Sequence, residues 1–244
     1  MEANDINFAA MPQTAVKVVT APADFFREMP KTGGFLEPLV FAVIMGFVAG
    51  IIHAILSLFG VGYGAGYGGG GMMAGFGMII FMPIAVAIGS FIGGAILFVI
   101  WKLMGSQEEY EAAYRCGAYL TALAPITAII SVVPYAGGIV NMAIYVFFLV
   151  TASIHVHNIP SQKAWLVFGI IGIVFALIGL TAQYKARNMS ASMEQWRKMG
   201  DDAAREYKMS AKDREQYNEA RRKQAEEMAR QYQRQVEEAQ KQNK

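Results

Sequence analysis

Charge is missing from most of this sequence. No Asp, Glu, Lys or Arg occurs between Glu37 and Lys102, between Arg115 and Lys163, or between Lys163 and Lys185. Stretches of that kind cannot build a water-exposed surface, which excludes a soluble globular fold for the body of the chain. Cysteine is nearly missing too. With Cys116 alone there is neither an intrachain disulfide nor a cysteine-based zinc site. The C-terminal part lacks something different: beyond Gln183 there is no Leu, Ile or Phe and a single Val, Val236, so it has almost nothing to bury. The N-terminus has Glu2 and Asp5 where a cleavable signal would carry a basic region, and no apolar run follows them. The first apolar span is therefore expected to serve as an uncleaved targeting signal.

What is present divides into two materials that join near Tyr184. From Tyr184 onward the chain holds 15 of its 21 Lys+Arg and 11 of its 19 Asp+Glu. The rest is apolar enough to raise the whole to 55% hydrophobic residues. A bilayer core takes about 20 apolar residues per helix, because each backbone polar group must find its partner within the segment. The apolar blocks divide into five such spans: Pro38 to Phe59, Ile79 to Trp101, Gly117 to Val133, Ile139 to Ile154 and Ala164 to about Gln183. The expected fold is all-α, an integral membrane bundle of about five transmembrane helices followed by a charged soluble helix. Residues 1–37 read as an amphipathic interfacial segment broken by Pro12 and Pro22, residues 38–183 as the transmembrane domain and residues 184–244 as a charged helical tail. Trp101 is placed at the water boundary, where indole rings favour the interface. The turn Pro134-Tyr135-Ala136-Gly137-Gly138 pairs the third and fourth spans as a hairpin. In the tail, Glu219 and Lys223, and Glu226 and Arg230, are among several acid-then-base pairs four residues apart, which favours a helix that buries little.

Small residues four apart mark faces where helices approach closely in a membrane. Gly46 and Gly50, Gly89 and Gly93, Ala113 and Gly117, and Gly172 and Ala176 are such pairs and are expected at helix contacts. His53 within the first span and Arg115 at the edge of the third form a candidate intramembrane polar site. For Arg115 the nearby carboxylates are Glu108, Glu109 and Glu111, and an ion pair setting the depth of the helix is the favoured reading.

No cofactor, metal or catalytic site is expected. In the glycine-rich loop expected from Gly60 to Gly77, Gly64-x-Gly66-x-x-Gly69 and Gly66-x-Gly68-x-x-Gly71 match the letters of a dinucleotide fingerprint, but their flanks are membrane helices, with no strand leading in. His53, His155, His157 and Cys116 lack an accompanying carboxylate and read as interfacial polar groups. No Ser-His-Asp set or His-Glu-x-x-His run occurs. The net charge of +2 gives no nucleic-acid reading.

Several segments in order resemble the Yip family, membrane proteins named for interaction with Ypt/Rab GTPases, and more closely its compact prokaryotic branch. They are Ala21-Pro22-Ala23-Asp24-Phe25-Phe26 before Gly33-Gly34-Phe35, Glu109-Tyr110 to Tyr119, Val133-Pro134-Tyr135-Ala136-Gly137-Gly138, and His155 to Lys163-Ala164. The resemblance covers about residues 13 to 183. It implies a five-span domain with a cytoplasmic N-terminus, no enzymatic activity, and roles in membrane organisation and partner recruitment. Gly34-Phe35-Leu36-Glu37-Pro38 stands where eukaryotic members carry Asp-Leu-Tyr-Gly-Pro, so Rab binding does not carry over. The charged tail lies outside the family pattern.

The reading that follows is a non-enzymatic membrane scaffold whose tail engages a membrane-protein partner or a second copy. The alternative is a small transporter or channel subunit using the interrupted helices around His53, Pro83 and Pro125. Five spans place Lys17, Arg27, Lys31, Lys102, Arg115 and Lys163 on one side, against Lys185, Arg187, Arg197 and Lys198 on the other. That bias puts the N-terminus in the cytoplasm and the tail outside it. A re-entrant third or fourth span would reverse the side of the tail.

Overall fold

A computed structural model describes residues 7–59, 71–208 and 211–242. The described chain is helical throughout: α1 (Met11–Thr20), α2 (Pro22–Glu28), α3 (Leu36–Leu58), α4 (Gly71–Leu103), α5 (Tyr110–Tyr119), α6 (Ala124–Ile130), α7 (Ala136–His155), α8 (Ser161–Lys208) and α9 (Ala211–Gln242). A 3-10 turn, Leu120–Leu123, links α5 to α6. The chain divides into two compact units, Met1–Ser190 and Ala191–Lys244.

Among the described residues five segments are long and apolar enough to cross a membrane: Leu36–Leu58, Phe76–Leu103, Tyr110–Ile130, Ala136–His155 and Ser161–Ala186. They are the five expected spans, each somewhat longer than its apolar run, because a helix continues through polar flanking residues as long as its backbone bonds are met. Residues 60–70 of the glycine-rich loop, including the Gly64-x-Gly66-x-x-Gly69 match, lie outside the described residues. Gly71 to Gly77, expected as the rest of that loop, instead open α4. In the third span the 3-10 turn precedes Pro125, where the missing N–H and the ring interrupt regular α-helix.

Small residues set the central contact. If Gly46 carried a Cβ, it would stand 3.1 Å from the Cα of Pro83, and one on Gly50 would stand 2.6 Å from the carbonyl oxygen of Met78. As α3 advances four residues α4 recedes about as far, so the two run antiparallel, backbone against backbone. Gly172 lies directly against Val146 of α7, with Ala176 half-buried one turn on. The second expected pair requires correction. A Cβ on Gly89 or Gly93 would meet no atom of a neighbouring helix within 4 Å, whereas one on Gly94 would stand 3.0 Å from Tyr114 Cα and one on Gly117 would stand 3.9 Å from Gly94 Cα. The side of α4 that meets α5 is offset by one residue, or about 100°, from the one bearing Gly89 and Gly93. On its outward side α4 shows Ile80, Ile84, Ile88, Ile92 and Ile96, all more than half exposed, as a lipid-facing surface requires.

The N-terminal segment is packed against the protein. Helix α1 lies on the 3-10 turn Leu120–Leu123 and α2 on α7, and Val18 and Phe26 have no exposed surface. The Phe25 and Phe41 rings both meet Tyr119, at 5.1 and 5.2 Å between centroids. Lys17 and Glu28 form an ion pair that ties α1 to α2. The amphipathic pattern read from the sequence is real, but its buried half faces protein. Its outer side leaves Phe8 and Val16 exposed.

Candidate functional site

Lys31, Glu37, Glu108, Glu111, Arg115, His157 and Lys163 converge at one end of the bundle. There the N-terminal connector (residues 29–35), the α4–α5 connector (104–109) and the α7–α8 connector (156–160) meet. An odd number of spans between the first and second of these, and again between the second and third, would separate them; two spans lie between each pair, so all three share a side.

Lys31 fastens all three together. Its Nζ is 2.7 Å from Glu108 Oε1 and donates to the carbonyl oxygen of Val156 at 3.0 Å. Next in the chain, Gly33 and Gly34 adopt φ of +124° and +88°, values that side chains other than glycine's rarely tolerate. This bend presents the Gly34 N–H to Glu111 Oε1 at 2.6 Å and its carbonyl to Arg115 Nη1 at 2.8 Å. Arg115 Nη2 lies 3.3 Å from Glu37 Oε2. The expectation of an ion pair for Arg115 finds its partner in Glu37 rather than Glu108, Glu109 or Glu111, since Glu108 is held by Lys31 and Glu111 by Gly34. The Arg115 side chain is only 1% exposed, and its Nε finds no partner.

A second cluster sits beside the first. The Trp101 ring stacks on His157 with centroids 3.9 Å apart, and its Nε1–H donates to Ser153 Oγ at 2.7 Å. Ser153 in turn donates to the Leu149 carbonyl. Ser106 Oγ accepts the Glu108 N–H at 3.2 Å and lies 2.8 Å from His157 Nδ1. We assign the Ser106 hydroxyl as donor to Nδ1, which leaves the neutral ring's other hydrogen on Nε2, facing Cys116 Sγ at 4.0 Å. Burial, reinforced by the positive charges of Lys31 and Lys102, pushes the His157 pKa down to about 3, so the ring stays neutral. Lys163 completes the arrangement by donating to the Met104 carbonyl at 2.8 Å.

Three expectations are corrected here. Trp101 is not an interfacial anchor: it is fully buried, stacked on His157 of the α7–α8 connector, edge-on to Phe168 of α8 and bonded to Ser153 of α7. His157 is likewise a buried packing group. His53 and Arg115 do not form one site. His53 is buried on the side of α3 that carries Gly46 and Gly50, 16 residues beyond Glu37, and at about 1.5 Å per residue that is about 24 Å along the helix from the group that holds Arg115. Among the described residues no three His, Cys, Asp or Glu side chains come together as a metal site. Sequence reading missed Ser106, Ser153 and Gly94. No spacing rule marks the two serines, and Gly94 was hidden by its neighbour Gly93.

Chemically the arrangement is a clamp. Lys31, Ser106, Glu108, Glu111, Arg115, Ser153, His157 and Lys163 each make a contact with another segment of the chain, and together they tie three connectors into one cap.

A family model described as the Yip1 domain matches residues 16–182. That stretch opens within α1 and closes at the end of the fifth span, so it contains the whole clamp and stops before the charged tail. No curated protein and no solved structure matches the chain.

Proposed function

The chain belongs to the Yip1 domain family, and from that premise we propose that it is a non-enzymatic multi-pass scaffold of the cytoplasmic membrane whose charged tail recruits a partner. The observation that carries this reading is how the polar groups at the clamped end are used. Lys31, Glu108, Glu111, Arg115 and His157 each hold one segment to another, as a platform needs, whereas a catalytic or transport site keeps polar groups turned toward a ligand. The N-terminal helices lie on the cytoplasmic side of the bundle, with Phe8 and Val16 in the headgroup layer, and the tail is on the opposite side. Purification of the full chain in mild detergent, beside a chain ending at Ser190, tests the proposal. A membrane protein that accompanies the first and is lost from the second is the expected result. Identical co-purifying sets would overturn it.

A further inference from the structure

Helix α9 is 32 residues long and draws support along its length from acid-base pairs four apart, Glu219 and Lys223 among them. Its apolar groups are nonetheless uncovered: midway along it Met228 and Tyr232 are 64% and 70% exposed. Spacings of four, three, four and three place Ala225, Ala229, Tyr232, Val236 and Ala239 along one line of the helix. A line that narrow, alternating in that way, fits one facing helix rather than a broad surface.

The line also fixes a heptad. With Ala225, Tyr232 and Ala239 at d, and Ala229 and Val236 at a, Arg221 falls at g and Glu226 at e, five residues later. In a parallel, in-register pair of helices, g of one chain faces e of the other in this way, so each Arg221 meets the opposite Glu226. Arg214 and Glu219 repeat the relationship one heptad earlier, where the same frame places the polar Glu215 and Arg222 at a and Asn218 at d, so the apolar seam begins at Ala225. In an antiparallel pair g faces only g and e faces only e, so neither arginine meets a glutamate. The complementarity is therefore one of the sequence with itself, in a single orientation. Two copies inserted in the same membrane with the same topology present their tails on the same side, which is the orientation the charges favour. Confinement to the membrane raises the local concentration of the second helix, as a seam made mostly of alanine requires.

We infer that α9 pairs with the α9 of a second copy of this chain as a parallel, in-register two-stranded coil. The inference rests on the reading of the tail as the recruiting segment and names its partner.

Full-length protein in lipid nanodiscs or mild detergent tests it by oxidative cross-linking. Tyr232→Cys and, separately, Ala225→Cys occupy d positions and should link two copies rapidly. Gln231→Cys, at an outward c position, should not. In the Ala225→Cys background, Arg221→Glu alone and Glu226→Arg alone should each lower the linked fraction several-fold. The two together should restore it, since the swapped charges again attract. Circular dichroism of each variant confirms that the helix is intact. Equal linking at residues 225 and 231, no linking at either d position, or indifference to charge reversal would each overturn the pairing. If linking fails while a different protein is still lost from the chain ending at Ser190, the recruiting role stands and only the self-pairing falls. If both fail, the recruiting role falls as well.

Discussion

Arg115 and Gly34, 81 residues apart in sequence, hold each other at 2.8 Å through a guanidinium N–H and a backbone carbonyl. The bond joins the third span to the bend that leads into the first. Because Gly34 gives its own N–H to Glu111, both polar groups of one glycine are held by one turn of α5.

Removing the guanidinium should therefore loosen the cap. Arg115→Met leaves the Gly34 carbonyl and the Glu37 carboxylate without their donor, and we expect a loss of about 1–3 kcal/mol. Glu37→Gln should cost less, because the Glu37 side chain is about half exposed and its interaction is screened by water. Thermal unfolding in detergent reads both. An Arg115→Met protein as stable as wild type would show that the clamp contributes nothing.

Glycines four apart should differ in tolerance according to what they face. A methyl at Gly50 would stand 2.6 Å from the Met78 carbonyl oxygen, so Gly50→Ala must push α3 from α4 at a cost of about 1–3 kcal/mol. Gly93→Ala meets no atom within 4 Å and should leave the melting temperature unchanged. Comparable losses from the two variants would place a neighbour on the Gly93 face, such as another protomer.

His157 gives stability a pH dependence. Its native pKa lies near 3 and its unfolded value near 6.5, so between those values the unfolded chain binds the extra proton. Stability from this group is complete above about pH 6.5 and declines as pH falls, by up to about 1.4 kcal/mol per pH unit. His157→Gln, which cannot titrate, should melt at a temperature that changes less between about pH 6.5 and 4.5 than wild type does. Parallel curves would mean that the ring is solvated.

Cys116 has no exposed surface, so the intact protein should resist maleimide until it is denatured. That makes the native chain its own background for a topology test. Gln13→Cys and Arg197→Cys lie at exposed positions, and the proposed topology assigns them to opposite sides of the membrane. An impermeant thiol reagent added to intact cells should label position 197 and spare position 13. The reverse pattern places the N-terminus outside, and matching results at the two positions mean that one apolar segment does not cross.

The spans were legible because membrane insertion is written in local composition, and the absence of charge from Glu37 to Lys102 or from Arg115 to Lys163 leaves few alternatives. The clamp was legible only in part. Local spacing suggested Glu108, Glu109 or Glu111 for Arg115, but the carboxylate that reaches it, Glu37, comes from another helix, and nothing in sequence spacing encodes that meeting. Trp101 has the sequence of an interfacial anchor, and contacts from α7, α8 and the connector between them make it a core residue. A Gly-x-x-x-Gly pattern shows which faces allow close approach and not which are used, so Gly93 was read as the contact while Gly94 makes it.

The seating of the N-terminal helices also imposes an order on biogenesis. Helices α1 and α2 leave the ribosome before any span, yet the surfaces that receive them belong to Leu120–Leu123 and to α7. Met11 to Glu28 must wait unsatisfied while most of the transmembrane domain is translated and inserted, and only then fold back. The first segment made is among the last to find its place, and a ribosome stalled before Ala136 should hold a nascent chain whose residue 26, as cysteine, is still open to thiol reagents.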